Sequence, residues 1–339
     1  MITALSKKKK ITEIYSKRNK AYSFYWYFRP IAIICLCLGV LPLKNLNRPH
    51  AAFIESKFLS FPTLTAIGMF LFNLLILVNY SGFPFLKNEN SDDTMFVWRC
   101  IVIYLMVVRA IMCFLFCLTH SRKIIKLLKI LDIFEKKRRE LTRANPKDGL
   151  KRLCIWTIFP LTFCTSLLAF IAQQQVQFIQ SVVDVEDNFT FLAAICFGIL
   201  AIWQLVPLFL YTYFAQVIRF NFNIVNLMIV DELPIPKSHV DEEPQFFYNI
   251  KSSLVKIRKM HVLMSDAVKN INISYGSFLA IDQIYVIVML ILNVYVLFFT
   301  GNTNGNLLMY TVFNIINVLT MIYVSHDIRE KVSKTLLHF

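Results

Sequence analysis

The chain has 339 residues, of which 57% are hydrophobic, 14% aromatic and only 17% charged. That is too apolar for a water-soluble domain and, with few Gly and Pro, fits an all-α polytopic membrane protein. The formal net charge of +15 could serve nucleic acid, but positive charge on a membrane protein collects in its cytoplasmic loops, so no nucleic-acid partner is expected.

In chain order, the first apolar run is "IAIICLCLGVLPL" at 31–43. It is shorter than the roughly 20 helical residues a bilayer core requires. It is expected to form an interfacial or re-entrant helix, ended by Gly39 and Pro42, within a cytoplasmic N-terminal region 1–59. Six longer apolar segments follow at about 60–84, 95–118, 152–174, 189–217, 272–300 and 306–325. Each can span, and together they predict a six-helix transmembrane domain over 60–325, followed by a cytoplasmic tail at 326–339.

The intervening charges set the orientation. Region 1–57 holds 11 Lys/Arg against two acids, and loop 119–152 holds 12 against four. Segment 218–271 holds seven Lys/Arg, whereas loop 175–188 has none and three acids. With six crossings, every basic region falls on one side, so the N-terminus is expected in the cytoplasm. Counting 31–43 as a crossing would put the two most basic regions on opposite sides. Of three glycosylation sequons, at Asn79, Asn188 and Asn272, only Asn188 falls in a clearly external loop. Modification is expected there, while Asn79 lies close to the outer face and Asn272 at the inner one.

Two cytoplasmic stretches, 119–151 and 245–271, read as helical. Ile124, Leu127, Leu128, Leu131 and Phe134 recur at helical spacing, as do Phe247, Ile250, Leu254, Ile257, His261 and Met264. Each stretch could lie on anionic lipid as a basic amphipathic helix. Each could instead continue its span into the cytoplasm and pack against neighbouring helices. Three prolines and five acids in "DELPIPKSHVDEEPQ" predict a mobile loop over 231–245.

Inside the spans the deepest charges are Arg109 and Asp282. Each costs roughly 2.5–3.5 kcal/mol at a helix centre, and their expected depths agree to within about one turn. They are candidates for an intramembrane charge pair, either structural or lining a pocket. A polar-aromatic set of Phe170, Gln173, Gln174, Phe191, Trp203 and Tyr285, with Tyr295, clusters toward the outer half and is the candidate ligand pocket. Interfacial belts use the same residue types. All eight cysteines sit inside or beside apolar segments, so no structural disulfide is expected. His261 and Asp266 fit an H-x4-D spacing used in acyl transfer, but residues five apart diverge by about 140° on a helix. No phosphate-binding loop, metal-ligand cluster or catalytic constellation is present, so neither an enzyme nor a cofactor or metal is expected.

These residues resemble one family. "LCLGVLPLKN" (36–45) is similar to the Leu-Gly-x-x-Pro element before the first span of insect gustatory receptors. The basic helix 122–140 resembles that family's first intracellular loop. The approach to the fifth span, 256–281, resembles it at His261, Asn272, Tyr275 and Gly276, and the tail 325–339 at Glu330, Lys334, Thr335 and His338. The resemblance covers essentially the whole chain. It implies an inverted seven-helix subunit of a homo- or heterotetrameric, ligand-gated cation channel in the plasma membrane of chemosensory neurons. It implies a small-molecule tastant in an outer-half pocket and lipid around the bundle. The family's seventh, pore-lining helix carries a Thr-Tyr…Gln-Phe signature that this sequence does not contain. A truncated chain that binds without conducting alone is therefore expected. Odorant-receptor-type subunits share the architecture, though 256–281 fits taste receptors better. A non-channel protein is the remaining alternative. A G-protein-coupled receptor normally starts outside, against the basic N-terminus, and a transporter would carry matched, Gly/Pro-broken halves.

Overall fold

The computed structural model describes residues 24–38, 40–41, 43–45, 52–55, 61–82, 93–141, 187–232 and 244–299, together with helical positions scattered from 311 to 333. The elements are α1 (Phe24–Cys37), β1 (Leu43–Lys44), β2 (Ile54–Glu55), α2 (Phe61–Gly82), α3 (Asp93–Leu141), α4 (Asp187–Glu232) and α5 (Pro244–Phe299). The expected segments at 60–84, 95–118, 189–217 and 272–300 lie in α2, α3, α4 and α5 in turn. Segment 152–174 lies outside the described residues. Among these, two stretches, Val206–Val230 and Ser252–Tyr295, are long and apolar enough to cross a membrane.

α1 has 14 residues, about 21 Å of helix against a hydrocarbon core of roughly 30 Å. The chain then turns back. Val40 donates to the Cys35 carbonyl at 2.8 Å, and β1 pairs antiparallel with β2. This small hairpin carries no period-2 signal in the sequence. Asn45 follows β1 at φ 71°, a left-handed conformation that Asn tolerates better than most residues. Arg29 reaches its carbonyl at 3.4 Å, which ties the hairpin to α1.

α3, α4 and α5 have 49, 46 and 56 residues, or about 70–85 Å each. That is more than twice the core of a bilayer. Arg109 meets Asp282, Phe116 meets Tyr275 and Phe278, and Lys123 meets Ile273, so α3 and α5 run antiparallel. Phe222 against His261 and Tyr211 against Tyr275 set the same relation between α4 and α5. With the apolar halves side by side, the surplus lengths 119–141, 218–232 and 244–271 project together on the basic side. Pro244 opens α5, where its missing N–H costs nothing.

Those projections pack on one another. Ile124, Leu127, Leu128, Leu131 and Phe134 are fully buried, as are Phe222, Met260 and Met264. α1 joins the same core at the end of the apolar half of α4, with Phe28 stacked on Phe214 at 5.3 Å and on Tyr213 at 5.8 Å. The apolar stripe of 122–140 is therefore covered by protein. The stripe belongs to a helix continuous from Asp93 to Leu141 and packs against neighbouring helices.

Candidate functional site

Within the apolar half, α5 buries Asp282, Tyr285, Val286, Met289 and Asn293. Asp282, Val286, Met289 and Asn293 follow at intervals of four, three and four, so they share one side of the helix. From α3, Arg109 donates Nε to Asp282 Oδ1 at 2.9 Å, and Nη2 lies 2.7 Å from the same oxygen. Only 11% of the Arg109 side chain and 1% of the Asp282 side chain is exposed. The guanidinium also sits 4.7 Å from the centre of the Tyr285 ring, a cation–π contact that strengthens as water is excluded. The pair is neutral as a unit, and both guanidinium nitrogens approach Oδ1. Asp282 Oδ2 accepts no hydrogen bond among the described residues.

A second group lies one level toward the basic side. Tyr275 is fully buried among Phe116 of α3 and Tyr211 and Phe214 of α4. Tyr211 reaches Ser325 at 3.2 Å, and Arg219 pairs with Asp327 at 2.6 Å, so the end of the sixth apolar segment and the start of the tail are fastened to α4. His120 stacks on Phe116, and its pKa is lowered by burial and by Lys123, opposed by a hydrogen bond to the Phe116 backbone. His261 is buried edge-on to Phe222, and burial lowers its pKa. Asp266, one turn on, is exposed, so the H-x4-D pair diverges and offers no joint acid–base site. No group of three metal-ligating side chains occurs among the described residues.

Of the expected pocket residues, Tyr285 is buried beneath Arg109. Phe191 and Trp203 lie on α4, with side chains outside the described set, as are Phe170, Gln173 and Gln174 altogether. Tyr295 points outward and is exposed. Asn188 is the second residue of α4, so its sequon opens a helix instead of closing the loop 175–188. Cys35, Cys37 and Cys113 are free, the first and last buried.

Sequence reasoning passed over Asn293. The signal was present, as a lone amide within "VIVMLILNVYVLFF". A polar side chain in a span is costly unless it has a task.

Long antiparallel helices, a buried charge pair in their apolar half and a packed basic extension define a helical membrane protein with a polar site between its spans. The chain belongs to the chemosensory receptor family. The family model described as 7tm Chemosensory receptor matches residues 28–339. No curated protein matches the chain in sequence. It is thus a chemoreceptor, and membership implies a small-molecule ligand.

Proposed function

We propose that the chain is a gustatory subunit of a ligand-gated, non-selective cation channel. It acts in the plasma membrane of chemosensory neurons, within a homo- or heterotetramer. Its ligand is a small tastant held between the outer halves of the helices, with Tyr285 on one wall and Phe170, Gln173, Gln174, Phe191 and Trp203 on the others. The observation that carries the taste assignment is segment 256–281, with His261, Asn272, Tyr275 and Gly276 at family-like positions. Its Tyr275 occupies the junction of α3, α4 and α5, where movement in the apolar half would reach the basic extension. Six crossings with a cytoplasmic N-terminus complete the reading.

Oocytes expressing the chain with a second subunit of the family test this. A cation current evoked by soluble tastants is expected. A response that requires G proteins and carries no conductance would reject the channel. A response confined to volatile compounds would move the chain to the odorant type.

A further inference from the structure

Because the apolar stripe of α3 packs on protein, the opposite side of the helix stays exposed, and its character changes at one level. Ile101, Tyr104, Ile111 and Leu115 are exposed. Thr119, Arg122, Lys126 and Lys129 are exposed too, and they continue the same side from Leu115 at alternating intervals of four and three. α5 changes in the same way, from exposed Ile287, Ile284 and Ile273 to exposed Lys269. The two changes coincide in height, since Lys123 donates Nζ to the Ile273 carbonyl at 3.4 Å. An exposed apolar side suits hydrocarbon, and the level at which cations replace it is that of the lipid headgroups.

Arg122, Lys123, Lys126 and Lys129 gather there within about two turns of α3. Side chains three and four apart on a helix are neighbours, so these cations can converge on one group, and without an anion they repel one another. The sequence holds no acid between Asp93 and Asp132, and Asp132 is buried and occupied by the Phe24 N–H and Lys136. On α5 the exposed acid of this region is Asp266, two turns beyond Ile273. Farther along α3, Arg138 and Arg139 are taken up by Glu135. Lys126 and Lys129 form no ion pair among the described residues. A phospholipid complements both parts of this surface, with phosphate at the height of the cations and acyl chains at the height of Ile111 and Leu115. A soluble anion offers the first part only. We propose that the outward side of α3 at Arg122–Lys129 is a binding site for an anionic phospholipid, and that headgroups carrying several phosphates are held best. Basic clusters immediately beyond a span bind such lipids. The site does not depend on which face of the membrane the basic side occupies.

Thermal unfolding of the purified full chain in detergent tests it with dioctanoyl phosphatidylinositol bisphosphate, dioctanoyl phosphatidylserine and dioctanoyl phosphatidylcholine, and with inositol trisphosphate as the headgroup alone. The bisphosphate lipid is expected to raise the midpoint at the lowest concentration, phosphatidylserine at a higher one, and phosphatidylcholine not at all. Inositol trisphosphate is expected to act more weakly than the lipid, because it brings no acyl chain to the apolar side of α3. Added salt is expected to weaken the bisphosphate lipid. Each cation near such a headgroup is worth about fivefold, so Lys126→Gln with Lys129→Gln is expected to weaken that lipid at least tenfold. Lys126→Arg with Lys129→Arg keeps both charges and is expected to retain it. Lys256→Gln with Lys259→Gln removes two exposed cations of α5 about 20–25 Å farther out than Ile273, and is expected to leave binding unchanged. Equal loss in the two glutamine pairs would reduce the effect to diffuse attraction and overturn the site. So would phosphatidylcholine matching the anionic lipids, inositol trisphosphate matching the bisphosphate lipid, or no lipid effect on the wild type.

Discussion

At the scale of single residues, the Arg109–Asp282 pair is held by geometry that removal of either member would expose. Truncating one partner strands a buried charge, at a cost of about 3–5 kcal/mol. Replacing both with apolar side chains of similar size is far cheaper, because both desolvation costs vanish together. Arg109→Met and Asp282→Leu are each expected to lower the unfolding midpoint strongly, and the double variant to recover most of the loss. Additive effects in that double-mutant cycle would reject the coupling. His261 makes a second expectation. Burial lowers its folded pKa below the ordinary 6.5, so near that pH the unfolded chain binds the proton and the folded chain does not. Stability is therefore full above about pH 6.5 and falls as pH drops through the folded pKa. His261→Phe is expected to flatten that acid limb in unfolding titrations, and an unchanged limb would assign it to other groups. All three residues stood out in the sequence, Arg109 and Asp282 as charges in apolar runs and His261 as part of a helical stripe. That Asp282 uses only one oxygen for Arg109 was not legible, because it depends on how two helices 173 residues apart in sequence rotate against each other.

Among the elements, α1 depends on a contact from another helix. Asp132 of α3 accepts the Phe24 N–H at 3.1 Å and also pairs with Lys136 at 2.7 Å. A carboxylate at a helix N-terminus satisfies an orphan donor and complements the helix dipole. Losing such a cap costs about 0.5–2 kcal/mol. Asp132→Ala is expected to speed amide exchange across 24–37 while leaving α3 protected, and Asp132→Asn to retain most of the protection. Equal exchange in wild type and Asp132→Ala would show that Phe28 and its ring neighbours hold α1 unaided. The basic run 136–139 is likewise less free than its sequence suggests. Glu135 takes Arg138 at 2.6 Å and Arg139 at 3.3 Å within the same helix. Helical type and the buried stripe of α3 follow from spacing alone. Its continuity from 93 to 141 does not, since no proline or glycine marks the membrane boundary and spacing cannot say what covers a stripe.

For the whole molecule, the largest described core runs from the basic extension into the adjoining ends of the apolar halves, and only a small second cluster around Val286 lies farther along α5. In the extension water drives apolar surfaces together, a force that lipid does not supply between helices. The orientation proposed from the charges is testable at Asn188 and at the N-terminus. Expression in eukaryotic cells is expected to give a single N-glycan removed by Asn188→Gln. An N-terminal epitope is expected to be reached only after permeabilisation. A glycan at Asn272 would invert the chain. Composition alone determined a helical membrane protein, because an apolar chain with few breakers has no other way to satisfy its backbone in lipid. The charge pattern alone supplied the orientation argument, and single residues in apolar runs supplied the buried pair. Only the tertiary structure decided that 31–43 ends as a short helix and hairpin, that the amphipathic stretches cover one another, and that Asn293 is enclosed. Each of these depends on which surfaces meet at a distance along the chain, and local periodicity carries no record of that.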